Sequence, residues 1–309
     1  FYHGCRGSLM AIYHDISSIA DYLEILKTFS HYGVEGFREN VQLYFRGEPD
    51  DYGESAGMPG IGRGNWLKND NESTLFRECE RKLSSGFAKC STTFEKLVLM
   101  QHYRIPTRVL DISFDSLQAL FFALYIDPKS KKDDNRDSIV LVYEIPKNSI
   151  CNWHSDKISV VSNIAIYDHD DLEISGLPAD IESFNKTDSI HHLLHEIRAE
   201  KPHFRDEIVK KHLESVFCAH PLLDNPRIRA QQGAFLVFGI DGNKHHLASL
   251  ERNSEIRLAK IRIPQYAKAQ IREELNLLGK TVDVVYPDWD GVSDYFTRFY
   301  GKKVEEYYR

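Results

Sequence analysis

Hydrophobic and polar positions along this 309-residue chain switch between a helical and a strand-like period, with no repeated order. Between Asp15 and Tyr32, the apolar residues Ile16, Ile19, Tyr22, Leu23 and Leu26 recur at helical spacing and predict an amphipathic helix. Val41 to Phe45 reads as a short strand that delivers Arg46 at its end. Thr92 and Glu95 form a capping box, so a helix is expected from Thr93 to about Tyr103. Pro106 stops it, because the residue before a proline avoids helical angles. Asp115 and Gln118 cap a second helix, Ser116 to Ile126, whose Leu117, Leu120, Phe121, Phe122 and Leu124 mark it as largely buried. Ser138 to Ile145 is a strand built on Ile139, Val140, Leu141, Val142 and Tyr143.

Between these elements the pattern breaks. Asp50 to Asn71 is rich in glycine, proline, asparagine and aspartate and reads as one long loop, a flexible lid. Its glycines lack the Lys-Ser/Thr ending of a phosphate-binding loop. From Cys151 to Pro226 strong strands are scarce, and helices are predicted near Asp188 to Glu200 and Phe204 to Ala219. Further on, Arg229 to Ile240 and Ile256 to Ile263 read as strands, and Pro264 to Leu278 as a helix closed by Gly279. Thr281 to Tyr286 reads as a strand and Trp289 to Tyr300 as a closing helix. The order divides the chain into an N-terminal helical segment (1–40), a first half-core (41–150), a helical insertion (151–226) and a second half-core (227–309). Irregular alternation without βαβ repeats gives the fold class α+β, with a mixed sheet.

Hydrophobic content of 42% and charged content of 28% fit a globular core, and a net charge of −7 argues against a surface that binds nucleic acid everywhere. A local basic groove remains compatible with that charge. Cys5, Cys79, Cys90, Cys151 and Cys218 are odd in number and scattered, which points to a reduced, cytoplasmic setting. No apolar run approaches the ~18 residues a membrane helix needs, and no signal peptide is visible.

His191, His192 and His195 share a predicted helix without a third ligand for zinc, so they read as surface histidines and no metal is expected. Three polar islands remain: Arg46 at a strand end, Gln101 to Ser113, and Arg227 to Phe235. Arginine suits bidentate binding of phosphate, and Thr107, Asp111 and Ser113 suit sugar hydroxyls, so the islands together suit a nucleotide with a pyrophosphate.

The chain resembles the FRG-domain family in Phe45-Arg46-Gly47, Trp66 to Arg77, Gln101 to Ser113, Ala119 to Ala123, Arg229 to Phe235 and Val285 to Gly291. It departs from that family's usual pattern at Arg104, where glycine is common, and at Ile112-Ser113, where Trp-Thr is common. The resemblance extends to ADP-ribosyltransferases in motif order, and implies a split mixed sheet that binds NAD as substrate. It implies that Arg46 holds the pyrophosphate or adjoining ribose, and that Thr107, Asp111 and Ser113 shape the nicotinamide side. Gly47, Tyr103 and Arg108 complete the cofactor set, while Gln231 takes the usual glutamate position and His102 is a candidate base. It further implies a toxin of antiphage or toxin–antitoxin systems that modifies a macromolecule, RNA foremost, and is neutralised by an antitoxin protein, with a chaperone as a further partner. Arg63, Lys68, Arg104 and Arg108 would line the RNA groove, with Tyr103 or Trp66 stacking. Two rival readings stand: a nuclease using His102 with Arg104 and Arg108, and a non-catalytic nucleotide-sensing module.

Overall fold

The computed structural model describes residues 11–13, 15–31, 40–68, 71–125, 135–169, 172–222 and 233–286. The strands are β1 (Ala11–Tyr13), β2 (Val41–Glu48), β3 (Val109–Ser113), β4 (Ser138–Pro146), β5 (Ile150–Asn152), β6 (Val216–His220), β7 (Gly233–Phe238), β8 (Ile240–Asp241), β9 (Asn243–Leu247) and β10 (Arg257–Ile263). The helices are α1 (Ile19–His31), α2 (Asn71–Lys82), α3 (Ser84–Phe87), α4 (Thr93–His102), α5 (Ser116–Leu124) and α6 (Asp156–Ser162). They continue with α7 (Ile181–Asn185), α8 (Asp188–Glu200), α9 (Lys210–Leu213), α10 (Leu250–Asn253), α11 (Lys268–Leu277) and α12 (Val282–Val285). The fold is α+β, around an eight-stranded mixed sheet in the order β1-β10-β4-β2-β3-β7-β6-β5. Among the described residues, only the two outer pairs of this sheet, β1–β10 and β5–β6, are parallel.

Local signals account for the helix boundaries nearest the sheet's centre. The Thr92 hydroxyl accepts from the Glu95 N–H while the Glu95 carboxylate accepts from the Thr92 N–H, a reciprocal cap that starts α4. Asp115 Oδ1 accepts from the N–H groups of Leu117 and Gln118 and starts α5. Ser18 and Asp21 exchange equivalent bonds at the start of α1.

The sheet is weakest at its middle. β2 pairs with β4 along its whole length and β3 with β7 over five residues, yet β2 meets β3 only at Phe45 and Ser113. Strand alternation puts Phe45, Ser113 and Gly233 on one face. On that face, β2, β4 and β10 pack against α1, α5 and α11, whereas β3, β6 and β7 pack against α2, α4, α6 and α8. A continuous third core, with Tyr44, Leu110, Ile112, Leu141, Tyr143 and Leu236, covers the opposite face. The seam between the two helical layers therefore lies over the place where β2 and β3 diverge.

Several expectations are corrected. Phe204 to Ala219 is not a helix: only Lys210–Leu213 is helical, and Val216–His220 enters the sheet between β7 and β5. The span 151–226 thus contributes β6 and the end of β5 to the central sheet alongside α6 to α9. Thr281 to Tyr286, read as a strand, holds α12 instead. The glycine-rich loop is not a loose lid, since it forms two 3-10 turns and buries Ile61 completely. It is tied down by Ile61 N–H to Thr107 O (3.2 Å) and by the Asp51–Lys260 ion pair. The expected closing helix, Trp289 to Tyr300, lies outside the described residues. Among the described residues, no helix is long and apolar enough to cross a membrane.

Gly47 has a steric reason. A Cβ there would sit 1.9 Å from the Ala119 carbonyl oxygen and 2.4 Å from the Ala123 nitrogen, because α5 lies directly on the β2 backbone. Gly47→Ala should destabilise the protein by about 3 kcal/mol, the upper end for overpacking, read as a lower denaturant midpoint.

On the face covered by the third core, the Tyr44 hydroxyl lies 2.6 Å from His220 Nε2. Burial lowers the His220 pKa from 6.5, so on acidification the unfolded chain takes up its proton before the folded one. Stability should therefore fall as pH drops through about 6.5 toward the folded pKa, and His220→Gln should flatten that part of a melting-temperature profile.

Candidate functional site

The divergence of β2 from β3 opens a cleft of about 390 Å³, within the size range of small-molecule sites. Arg46, Gly47, Gln101, His102, Arg104, Asp111, Ser113 and Gly233 line it, so residues from all three polar islands meet there.

Arg46 bridges the opening. Its Nη1 donates to both the backbone oxygen of Asp111 (2.9 Å) and Asp111 Oδ1 (2.6 Å), which puts a side chain where ladder bonds are missing. Its Nε donates to Glu48 Oε1 at 3.3 Å, and Arg63 Nη2 reaches the same oxygen at 2.9 Å. Gln101 Nε2 donates to Asp111 Oδ1 at 2.5 Å and anchors the carboxylate from α4. Burial works to deprotonate Arg46, but the Asp111 and Glu48 charges outweigh it and raise its pKa, so the guanidinium stays charged. The Arg46 Nη2 group and Asp111 Oδ2 make no hydrogen bond among the described residues, which leaves one donor group and one acceptor for a ligand.

An aromatic wall faces this polar edge. Phe122, Tyr125 and Tyr286 line the cleft, with Tyr286 ring centroids 5.8 Å from Phe122 and 5.4 Å from Tyr125. Sequence reasoning missed this wall, and it also missed Gln101 and Glu48 as supports for Arg46. Glu48 was legible, because residues two apart on a strand share a face. Tyr286 was not, since its motif was read as a strand.

Other expected residues sit elsewhere. Thr107 is buried and its hydroxyl donates to Val109 O at 3.4 Å, so it is not part of the cleft. Arg108 is fully buried: Nε donates to Glu72 Oε1 at 2.8 Å, Nη2 pairs with Glu72 Oε2, and Nη1 donates to Phe238 O at 3.0 Å. It clamps α2 to the sheet and cannot reach a ligand phosphate or an RNA groove. Arg63 is held by Glu48 and lies over the Tyr52 ring. Lys68 and Trp66 are exposed but do not line the cleft. Tyr103 is 67% exposed, edge-on to His102. Gln231 lies outside the described residues, two positions before Gly233 in the chain. His191, His192 and His195 are exposed on α8, with His192 stacked on His169.

Arg104 has a left-handed backbone, φ 62°, the only positive φ outside glycine among the described residues. Its N–H donates to Gln101 O and the Ile105 N–H to Met100 O, the pair of bonds that closes a helix through a left-handed residue. A non-glycine residue in that conformation costs about 1–2 kcal/mol.

Compared with known proteins, residues 41–133 match the FRG domain, which supports the FRG family over the stretch from β2 through α5. No curated protein and no solved structure matches the chain at a significant level.

The Arg46 pairings make its loss costly to the fold as well as to the site. Arg46→Met leaves Glu48 facing Arg63 alone and the Asp111 carbonyl unbridged. Stability should drop by about 2 kcal/mol, less than the ~3–5 of a fully buried pair because Asp111 is partly solvated, as denaturant unfolding would read.

Proposed function

We propose that this chain binds NAD⁺ in the cleft between β2 and β3 and transfers ADP-ribose to a macromolecule, with RNA the favoured acceptor. The observation that carries the reading is the opening in the sheet, edged by Arg46 and Asp111 on one side and by aromatic rings on the other. Arg46 offers an amino group to a phosphate or ribose oxygen, Asp111 Oδ2 accepts from a ribose hydroxyl, and the Tyr125–Tyr286 wall suits a flat base.

In the reaction the glycosidic C–N bond breaks and its electron pair leaves with neutral nicotinamide. The acceptor's nucleophile forms the new bond to the ribose carbon and gives up its proton to a base, for which His102 lines the cleft. Positioning and electrostatic stabilisation of an oxocarbenium-like ribose supply the catalysis. The likeness to ADP-ribosyltransferases gives Gln231 the usual glutamate position, where an amide would hydrogen-bond a ribose hydroxyl without full negative charge. A neutral hydrogen bond contributes about 0.5–1.5 kcal/mol, against ~1.5–3 for a charged one, so the rate leans on the base. The nuclease alternative loses one of its two phosphate-binding arginines, because Arg108 is sealed against Glu72. Action as an antiphage toxin held by an antitoxin belongs to the same reading.

Incubation with labelled NAD⁺ and cell lysate, followed by RNase or protease, tests it. Label that survives protease and vanishes with RNase is the expected outcome, and no label in any fraction rejects the transferase. Gln231→Ala should abolish transfer at unchanged melting temperature, and Gln232→Ala should cost less, as the same labelling assay would read.

A further inference from the structure

The corner at the C-terminus of α4 retains an arginine where local stability favours glycine. Arg104 closes the helix in a left-handed conformation, lines the cleft and is exposed. Beside it, Tyr103 is one of the most exposed large hydrophobic side chains among the described residues. Strain held at the edge of a cleft, next to an exposed aromatic ring, is a pattern of ligand-contacting residues. A planar guanidinium binds phosphate bidentately, and an exposed tyrosine ring stacks a base without reading its identity. Arg46, deeper in the same cleft, already serves two carboxylates. The two arginines thus meet the cleft at different depths.

We infer that Tyr103 and Arg104 form the acceptor-side subsite of the cleft, taking a base and an adjoining phosphate of single-stranded RNA. This deepens the transferase reading and rests on it for the word acceptor, but RNA binding at this corner is measurable without NAD⁺. Arg104 is then a specificity-determining residue, and its strain is the counterpart of that contact. A net charge of −7 confines such binding to a local patch and makes it sensitive to salt.

The test is fluorescence anisotropy with a fluorescein-labelled single-stranded RNA 12-mer, at about 50 and 200 mM salt. The intact chain, Arg104→Gly, Arg104→Lys and Tyr103→Ala are compared, with ADP binding and melting temperature measured in parallel. Arg104→Gly should weaken RNA binding about tenfold, the size of one charged hydrogen-bonded contact, in a protein whose melting temperature shows that it stays folded. An arginine kept only for the fold would leave RNA binding unchanged and shift the melting temperature alone. Arg104→Lys should recover part of the affinity, and Tyr103→Ala should lose several-fold. Unchanged RNA affinity in Arg104→Gly overturns the inference, as does a wild type with no salt-dependent RNA binding. A loss of ADP binding equal to the loss of RNA binding also overturns it, because the arginine would then serve the dinucleotide. A protein that transfers nothing from NAD⁺ yet binds RNA through Arg104 rejects the transferase reading and upholds this site.

Discussion

The bridge from Arg46 to Asp111 is the constraint on which the centre of this structure depends. Two half-sheets, each with its own helical layer, meet through a single backbone pair between Phe45 and Ser113. Beyond that pair the strands separate, and a guanidinium takes over the carbonyl that a ladder bond would have satisfied. A buried carbonyl left without a donor is costly, so a cleft through a sheet's middle needs such a substitute. The side chain that holds the halves together also edges the cleft and keeps an amino group available to a ligand.

The supports of that bridge come from distant parts of the chain. Glu48 fixes Arg46 from within β2, Gln101 fixes Asp111 from the last turn of α4, and Arg63 brings the glycine-rich loop onto Glu48. Gly47 lets α5 press onto β2, which places Phe122 and Tyr125 across from the arginine. Each side chain has its rotamer restricted by another polar or steric partner, the condition under which a site keeps its geometry.

Two arginines four residues apart near the same turn have different fates. Arg104 is exposed on the cleft edge, whereas Arg108 is sealed against Glu72 and a strand carbonyl. Their motif gives both the same apparent chemistry. What separates them is that β3 begins at Val109, so Arg108 enters the packed layer while Arg104 stays on the helix corner.

The sequence by itself determined whatever is governed within a few residues. The Thr92–Glu95 cap, the Asp115 cap, the bounds of α8 and the apolar runs of β4 and β10 were legible because capping bonds and periodicity are local. So was the grouping of Arg46, Asp111, Ser113 and the Gly233 region as polar islands flanking apolar runs. Tertiary structure alone decided the rest. Val216–His220 became a strand because β7 offered it an antiparallel partner, and strand preference depends on such partners. Asn71–Lys82, where no helix was expected, became one because Phe76 and Cys79 found a core contributed by later residues. The removal of Thr107 and Arg108 from the site, and the arrival of Tyr286, depended on packing between segments far apart in the chain. Local pattern carries no information about which distant surface a side chain will meet, and that meeting is what turned three polar islands into one cleft.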